Sequence, residues 1–262
     1  MSLEIIFEDR FIIAMNKPAG LLVHPVEAGL FPACKARLRT ESQETCLSLL
    51  RKHCGRKVFP VHRLDRATSG ALLFAKSSEA ASMFCKQFES GEVQKKYVAL
   101  VRGWLNGLVE VNHPVWNEIK TQRMDASTTL QCLEKFEIHE PVGKHTSVRY
   151  SLVAAHPHNG RYHQIRQHLK HLSHPIIGDT AHGDGLHNRF FRSKFLLNRM
   201  FLHAQSIEFK HPETGETQCI NASVSVELDN VLAALRKTLT FQSSEMSNPN
   251  GAMPGLSYLK KA

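Results

Sequence analysis

The chain has 262 residues and a mass of 29.5 kDa, of which 42% of residues are hydrophobic and 22% are charged. This composition is typical of a globular protein with a sizeable core, and it excludes a collagen-like, wholly disordered or small disulfide-bonded protein. Thirty-three Lys and Arg residues against 24 Asp and Glu residues give a net charge of +9. A charge of this size favours a polyanionic partner but does not identify one.

The cysteines and the apolar runs indicate the compartment. Six cysteines occur without a C-x-x-C pair, and the first residues mix acidic with apolar side chains, unlike a signal peptide. The longest apolar runs are far shorter than the roughly 18 to 20 residues that a membrane span requires. We therefore expect reduced thiols and a cytoplasmic protein with no membrane partner.

The first hundred residues predict short strands with two helices between them. Residues 3–7 and 11–15 predict a β-hairpin, which a break at residues 16–20 (NKPAG) follows. Residues 27–45 have neither a helical nor a strand period and predict an exposed basic loop. The elements expected next are a helix at 45–53, strands at 58–64 and 71–76, a helix between Ser77 and Gly91, and a strand at 96–101.

The rest of the chain continues the mixture of strands and helices. The pattern is weak at residues 104–140, and the expected elements that follow are a strand at 147–155, a helix at 162–172, a strand at 200–209 and a helix at 224–239. This order indicates an α+β fold with a mainly antiparallel sheet. No change in composition demands a second domain. We therefore expect one domain over residues 1–240 and a disordered tail, rich in Ser, Asn, Pro and Gly, over 241–262.

The positive charge is concentrated in residues 149–210. This segment has nine Lys and Arg residues against three acidic ones, so it carries six of the nine net positive charges, and it also holds nine of the 16 histidines. Such a concentration favours a nucleic-acid partner, because phosphate neutralisation with release of counterions supplies much of the affinity for RNA and DNA. A solvated basic face without a ligand remains the alternative.

A row of histidines in the same segment raises the question of a metal site. The row consists of His163, His168, His171 and His174. The chain has no H-E-x-x-H motif, and the neighbouring Arg161, Arg166 and Lys170 would repel a divalent cation. We expect these histidines to face the core or a phosphate, and we expect no metal site.

Residues 61–70 (VHRLDRATSG) hold the strongest local pattern in the chain. Asp65 stands between two arginines after an apolar run, and small hydroxyl residues and a glycine follow it, as in a tight loop that fixes its side chains. Spacing alone also fits an aspartate that merely caps a turn. However, residues 62–70, followed by Ala75 and Lys76, resemble the motif that carries the catalytic aspartate in the RluA-type family of pseudouridine synthases.

Four further blocks in the same order extend this resemblance over residues 3 to about 212. The blocks are residues 16–25 (NKPAGLLVHP), 95–99 (KKYVA), 160–169 (GRYHQIRQHL) and 174–179 (HPIIGD). The resemblance implies a single pseudouridine-synthase catalytic domain, built on a long, bent, mostly antiparallel sheet with flanking helices and loops. The chain begins directly at the first strand, like family members without an amino-terminal S4-type module. Its basic loop at 27–45 is longer than the family pattern predicts.

Within the family, the chain is most similar to members that modify uridine 65 of tRNA. The supporting residues are 171–179, His182, Gly183, Asp184, Asn188 and Arg189, and many relatives that act on ribosomal RNA have Tyr-Gly in place of His182-Gly183. The resemblance implies an isomerase that converts this uridine to pseudouridine and implies no obligatory protein partner. We expect a monomer, although the sequence does not show the oligomeric state. The alternatives are the same chemistry on large-subunit (23S) ribosomal RNA or another tRNA position, a non-catalytic RNA-binding protein, and a metal-dependent nuclease.

The resemblance also implies roles for individual side chains. Asp65 is the expected catalytic residue, and Arg166 is expected to pair with it and keep it charged. Tyr97 is expected to lie against the uracil ring, with Ile165 on the opposite side. The isomerisation requires no cofactor, and the chain has neither a P-loop nor a G-x-G-x-x-G motif.

The expected RNA contacts surround these residues. A uridine in a stem must leave the base stack before a pocket can enclose it, and Arg63, beside Asp65, is expected to fill the gap that remains. The other residues expected to contact the substrate or its phosphates are His62, Arg161, His163, Lys17 and Lys170.

Overall fold

The structure is a computed structural model that describes residues 3–25 and 44–246, with side chains up to residue 238. Most of the expected basic loop at 27–45 lies outside the described residues, as does the part of the expected tail beyond residue 246. Residues 44 and 45 are the described end of that loop, and Thr45 caps the first helix. None of the helices in the described ranges combines the length and apolarity needed to cross a membrane.

Twelve strands and five helices make up the described part of the chain. The strands are β1 (Ile5–Glu8), β2 (Ile12–Lys17), β3 (Phe59–Pro60), β4 (Ser69–Ala75), β5 (Gln94–Arg102), β6 (Leu108–Asn112), β7 (Val115–Trp116), β8 (Arg123–Met124), β9 (Ser127–Ile138), β10 (Val148–Pro157), β11 (Leu202–Lys210) and β12 (Thr217–Asn221). The helices are α1 (Cys46–Cys54), α2 (Ser78–Glu89), α3 (Gln164–His171), α4 (Gly185–Phe195) and α5 (Val226–Met246).

Ten of these strands form one sheet. Its order is β1-β2-β4-β11-β5-β10-β9-β6, with β12 paired to β11 and β3 paired to β4, while β7 and β8 form a separate hairpin. Every pairing is antiparallel except that of β4 with β11, which is parallel over two residue pairs, Ser69 with His203 and Gly70 with Ala204. The expected α+β fold with a mainly antiparallel sheet is therefore confirmed.

Helices cover both faces of this sheet because the central strands are apolar on both sides. In β4, Leu73 packs with α2 on one face and Leu72 packs with α1 on the other. In β5, Leu100 packs with α4 and α5, whereas Ala99 packs with α3. The core clusters that contain β4 and those that contain β5 adjoin at β11, which lies between the two strands in the sheet. The loops at the ends of these strands lie close together.

The structure corrects four expectations about elements. The strand expected at 58–64 is limited to Phe59–Pro60, because residues 61–68 form a loop held by contacts described below. The helix α4 and the strand β12 were not predicted. The helix α5 continues to Met246, so the tail expected from residue 241 begins as helix. Five cysteines in the described ranges are free thiols, as expected.

The parallel contact between β4 and β11 predicts an effect for Gly70→Ala. Gly70 has a φ of +115°, and a Cβ there would lie 2.2 Å from the carbonyl oxygen of Ala204. Backbone strain and overpacking together should lower the free energy of unfolding by on the order of 4 kcal/mol, measured by denaturant titration. The control is Gly91→Ala, which has a φ of +75° but open space around its Cβ. Equal losses in the two variants would show that the contact with Ala204 does not matter.

Candidate active site

A cleft of about 400 Å³ lies where three segments meet. These are the loop between β3 and β4, the strand β5, and the segment that runs from the end of β10 into α3. Asp65, Tyr97, His163, Ile165 and Arg166 all line the cleft. The structure therefore brings together the three residues expected to act on the uridine and five of those expected to contact it, which are His62, Arg63, Arg161, His163 and Ile165.

The loop that carries Asp65 is held from behind by Lys17. The Lys17 ammonium donates to the backbone carbonyls of Pro18 (3.0 Å), Arg66 (3.2 Å) and Thr68 (2.7 Å). Beside it, the N–H of Gly20 donates to the Arg66 carbonyl at 2.7 Å, and the Arg66 Nε donates back to the Gly20 carbonyl at 2.9 Å. The break at residues 16–20 is therefore a clamp on the Asp65 loop.

These contacts correct the expectation that Lys17 contacts RNA. Its residue exposure is 0%, and three carbonyl oxygens take up its three ammonium donors. Burial lowers the pKa of Lys17 to about 8. A side chain in this position is out of reach of a phosphate, so Lys17 supports the Asp65 loop from inside the protein.

Arg166 joins Asp65 to a second carboxylate. Its Nη1 donates to Asp65 Oδ2 at 3.0 Å, and its Nε and Nη2 donate to the two oxygens of Asp179 at 2.7 and 2.8 Å. Burial disfavours the charged form of Arg166, but the hydrogen bonds and charge of Asp179, together with Asp65, outweigh it and raise the pKa of Arg166 above its ordinary value. The guanidinium is therefore a fixed cation below Asp65.

Asp179 is a component of the site that the sequence analysis missed. It is 1% exposed, and besides Arg166 its Oδ1 accepts from the backbone N–H groups of Ala181 and His182. Burial raises the pKa of this carboxyl, but the hydrogen bonds and charge of Arg166 outweigh burial and hold the pKa below its usual range. A signal was present in the sequence, since Asp179 is one of three acidic residues in the basic segment 149–210.

Tyr97 and Ile165 provide the apolar sides of the cleft. Tyr97 is half-buried and packs with the core clusters on both sides of the cleft, and Ile165 is 6% exposed. Burial, followed by the negative charge of Asp65, raises the pKa of the Tyr97 phenol above its ordinary value. Tyr97 therefore presents a neutral ring with a protonated hydroxyl at neutral pH.

His163 stands beside Asp65 in a left-handed backbone conformation, with a φ of 49°. Its ring stacks on Tyr162 at 3.7 Å, its Nδ1 lies 3.1 Å from His182 Nε2, and its Nε2 lies 3.7 Å from Asp65 Oδ2. Burial lowers the pKa of His163 to about 4. The contact with Asp65 is therefore a polar contact of a neutral imidazole at neutral pH, although its distance alone would allow an ion pair.

The other expected contact residues differ in how they face the cleft. His62 lines it, but its Nε2 accepts a backbone N–H of β4 at 3.0 Å, and burial lowers the pKa of His62 to about 3. Arg63 and Arg161 are exposed at the rim. Arg63 Nη1 lies 3.6 Å from Glu118 Oε2, and Arg161 Nε donates to a backbone carbonyl at 3.2 Å. Both guanidinium groups can reach an RNA that covers the rim.

The remaining histidines of the row bind different partners. His168 is buried between Thr128 Oγ1 and the carbonyl of His113, His171 stacks on the His113 ring at 3.7 Å, and His174 lies against a backbone carbonyl of β5. Within residues 3–25 and 44–246, no group of three or more His, Cys, Asp or Glu side chains is placed to hold a metal ion.

Two residues that supported the similarity to enzymes acting on uridine 65 lie behind the cleft. Asn188 accepts from the N–H of Gly178 at 2.7 Å and donates to the carbonyl of Asp179 at 2.8 Å. His182 contacts His163 and donates its backbone N–H to Asp179. Both residues therefore help to hold Asp179, which binds Arg166, the partner of Asp65.

Comparison with known proteins points to the same family as the motifs in the sequence. The sequence pattern of the RNA pseudouridylate synthase family matches residues 11–171, which is more than half of the chain. The chain belongs to this family. Asp65, Tyr97 and Arg166 all lie within the matched region, so this pseudouridine synthase carries its candidate active site inside the family's own domain.

Relatives and solved structures extend the match over most of the enzyme. The protein named tRNA pseudouridine synthase C of Vibrio cholerae is 40% identical over 94% of this chain and 99% of its own, and that of Haemophilus influenzae is 40% identical over 88% and 96%. The human RNA pseudouridylate synthase domain containing 4 superposes with a TM-score of 0.65 at 20% identity, over 89% of this chain and 93% of its own. The human domain containing 1 gives 0.63 at 22%, over 90% and 95%. At these identities the two structures show the shared fold alone.

The buried pairing of Arg166 predicts the effect of Asp179→Asn. The variant leaves a buried guanidinium with one carboxylate, which should lower the free energy of unfolding by about 3 kcal/mol and reduce turnover. Denaturant titration and a pseudouridine assay on the folded variant measure the two effects. The control is Glu137→Gln, which breaks an exposed ion pair with Arg149 at 3.2 Å and should cost less than about 1 kcal/mol. Equal stability of the two variants would contradict the role given to Asp179.

Proposed function

We propose that this pseudouridine synthase isomerises uridine 65 of tRNA, with Asp65 as its catalytic residue and without a cofactor. The tRNA substrate is supported by the names of the relatives from Vibrio cholerae and Haemophilus influenzae, each 40% identical to this chain. The position in the tRNA is supported by the resemblance at residues 171–179 and at His182, Gly183, Asn188 and Arg189.

The chemistry sets what the protein must supply. Isomerisation breaks the bond between N1 of uracil and C1′ of the ribose, and it forms a bond between C5 and C1′. A proton leaves C5 and N1 gains one, so the atoms balance and nothing is oxidised or reduced. The protein has to hold the detached base in place while it turns, and it needs a carboxylate beside the sugar.

The way Asp65 is held is the observation that carries the proposal. Arg166 binds its Oδ2, and within the described residues no side chain or backbone group donates a hydrogen bond to its Oδ1. A carboxylate fixed through one oxygen keeps the other for the substrate. The aspartate also lines a cleft whose sides, Tyr97 and Ile165, suit a flat uracil ring.

Tyr97 and Ile165 are proposed to hold the base during its rotation. Stacking of a base on an aromatic ring is worth about 1–3 kcal/mol and does not fix the rotation of the base in its plane. Burial keeps the Tyr97 hydroxyl protonated, so it acts as a donor to the ring edge or relays a proton, and it does not serve as a phenolate base. Ile165 covers the second face of the base.

The rim residues are proposed to hold the RNA while the uridine is out of its stem. Arg63 is exposed next to Asp65, where it can enter the gap that the flipped base leaves. Arg161 can neutralise a phosphate, and the neutral His163 can donate a hydrogen bond to the sugar. One chain supplies every residue in these roles. We therefore propose that the enzyme works as a monomer in the cytoplasm, without an obligatory protein partner.

Asp65→Asn tests the catalytic role. The amide keeps the shape of the side chain but lacks the negative charge, so turnover should fall by at least three orders of magnitude while the affinity for tRNA stays within a few-fold. Turnover is measured by release of the C5 tritium label from uridine, and affinity by filter binding. The control is Asp125→Asn, an exposed acid that should retain full activity. Turnover of Asp65→Asn near that of the wild type would refute the assignment.

Chemical mapping of pseudouridine tests the substrate. In RNA from a strain that lacks the gene, the pseudouridine at position 65 of tRNA should disappear, while the modifications of large-subunit ribosomal RNA should remain. The purified enzyme should restore the missing modification in vitro. Loss at a ribosomal position, or at another tRNA position, would keep the chemistry but overturn the proposed substrate.

A further inference from the structure

The cleft extends beyond Asp65 and Tyr97 into an outer lobe that the proposed chemistry does not use. We define the outer lobe as the part of the cleft lined by His62, Phe88, Val93, Lys95 and Asn159. The strand β5 connects the two parts, because Lys95 and Tyr97 are two residues apart on it. Alternate residues of a strand point to the same face and lie about 7 Å apart. Lys95 and Tyr97 therefore face the cleft side by side along β5.

Lys95 is a partly buried cation that forms no ion pair with any acidic side chain the structure describes. Its ammonium donates to the carbonyl of Asn159 at 3.1 Å and lies 6.0 Å from the centre of the Phe88 ring. Within the described residues, no carboxylate forms an ion pair with it. The nearest acid along the chain, Glu92, pairs with Lys210 at 3.2 Å. Buried charges in proteins are normally paired, so the position of Lys95 leaves room for an anion from outside.

The surroundings hold the lysine in place in the absence of RNA. The Asn159 side chain accepts the backbone N–H of Ser127 at 2.8 Å, which fixes the loop whose carbonyl binds Lys95. Burial lowers the pKa of Lys95 to about 8, so its ammonium is still mainly protonated at neutral pH. His62, which also lines this lobe, is neutral under the same conditions. The charge of the outer lobe is therefore positive and fixed before RNA binds.

We propose that Lys95 binds a backbone phosphate of the RNA strand, at or next to the nucleotide whose uracil lies against Tyr97. This rests on the proposed function, because it places the uracil by Tyr97 and the ribose by Asp65. In a nucleotide the sugar separates the base from the phosphate. With the base against Tyr97, this spacing fits a phosphate at Lys95, two residues away on β5. The ammonium of lysine suits a phosphate as a compact point charge, and it retains donors beyond the one given to Asn159.

The contact has a purpose in the reaction. During isomerisation the base is detached from the sugar, so the base no longer holds the strand in the cleft. A phosphate bound at Lys95 holds the strand in the cleft equally well before and after the base is detached, so the contact acts on binding and not on the chemical step. Lys95 therefore contributes to RNA affinity, and the chemical step does not require a proton from it.

Lys95→Gln tests this proposal. The amide can still donate to the Asn159 carbonyl but has no charge, so the loop contact is retained while the phosphate contact is lost. Binding is measured by filter binding of tRNA over a series of KCl concentrations, in an Asp65→Asn background that prevents turnover. We expect the dissociation constant to rise about tenfold and the slope of log affinity against log salt to decrease by about one unit.

Two controls separate charge from structure. Lys95→Arg retains the charge and should retain the salt slope. Lys96→Gln removes an equal charge from the next residue of β5, which points to the other face of the strand, and should leave the slope unchanged. In the active background, Lys95→Gln should raise KM and leave kcat and the melting temperature near their wild-type values.

Other outcomes would overturn the proposal. An unchanged salt slope in Lys95→Gln would show that Lys95 contacts no phosphate. A lower melting temperature or a lower kcat with unchanged affinity would show that Lys95 only ties β5 to the loop at Asn159. Turnover of tRNA by the wild-type enzyme is measured in parallel. Its absence would refute the proposed function, whatever the binding data show for Lys95.

Discussion

The candidate active site depends on one guanidinium that serves two carboxylates. Asp179 takes two donors of Arg166 and Asp65 takes a third, so the proposed catalytic aspartate is bound to a cation whose own position is already fixed. A single Arg–Asp pair in this place would leave the arginine free to follow the aspartate. Because Asp179 is buried and bound to two backbone N–H groups, Asp65 is the one of these two carboxylates with an oxygen open to the cleft.

A second support acts on the backbone from the opposite side. Lys17 and Gly20 hold the carbonyls of the Asp65 loop, and Gly70 lets β4 pass against β11 directly after the loop. The Lys17 ammonium faces carbonyl dipoles, and no carboxylate in the described part of the chain forms an ion pair with it, so burial lowers its pKa. Asp65 is therefore fixed through its side chain by Arg166 and through its backbone by the clamp at residues 16–20.

The sequence predicted the parts of this arrangement that depend on local pattern or on family resemblance. The fold class, most strands, and the grouping of Asp65, Tyr97 and Arg166 in one cleft follow from such patterns. Lys17 was misplaced because a lysine in a motif gives no sign of whether it faces solvent or carbonyl groups. Asp179 was missed because its role depends on Arg166, thirteen residues earlier in the chain, and only the fold brings the two together. The helix α4 was missed although its signals are local, since Asp184 caps its start and Phe190, Phe191 and Phe195 recur at helical spacing and pack in the core.

The continuous sheet beneath the cleft limits how this enzyme can respond to RNA. Backbone hydrogen bonds run without a break from β2 through β4, β11 and β5 to β10, so the described strands join the two sides of the site with no flexible linker between them. A hinge motion would have to break these hydrogen bonds, whereas the loops at the rim can move without doing so. The proposed flipping of the uridine would therefore distort mainly the RNA. Stems whose base pairs open easily at the target uridine should be favoured, which makes the mechanical weakness of a stem part of substrate selection.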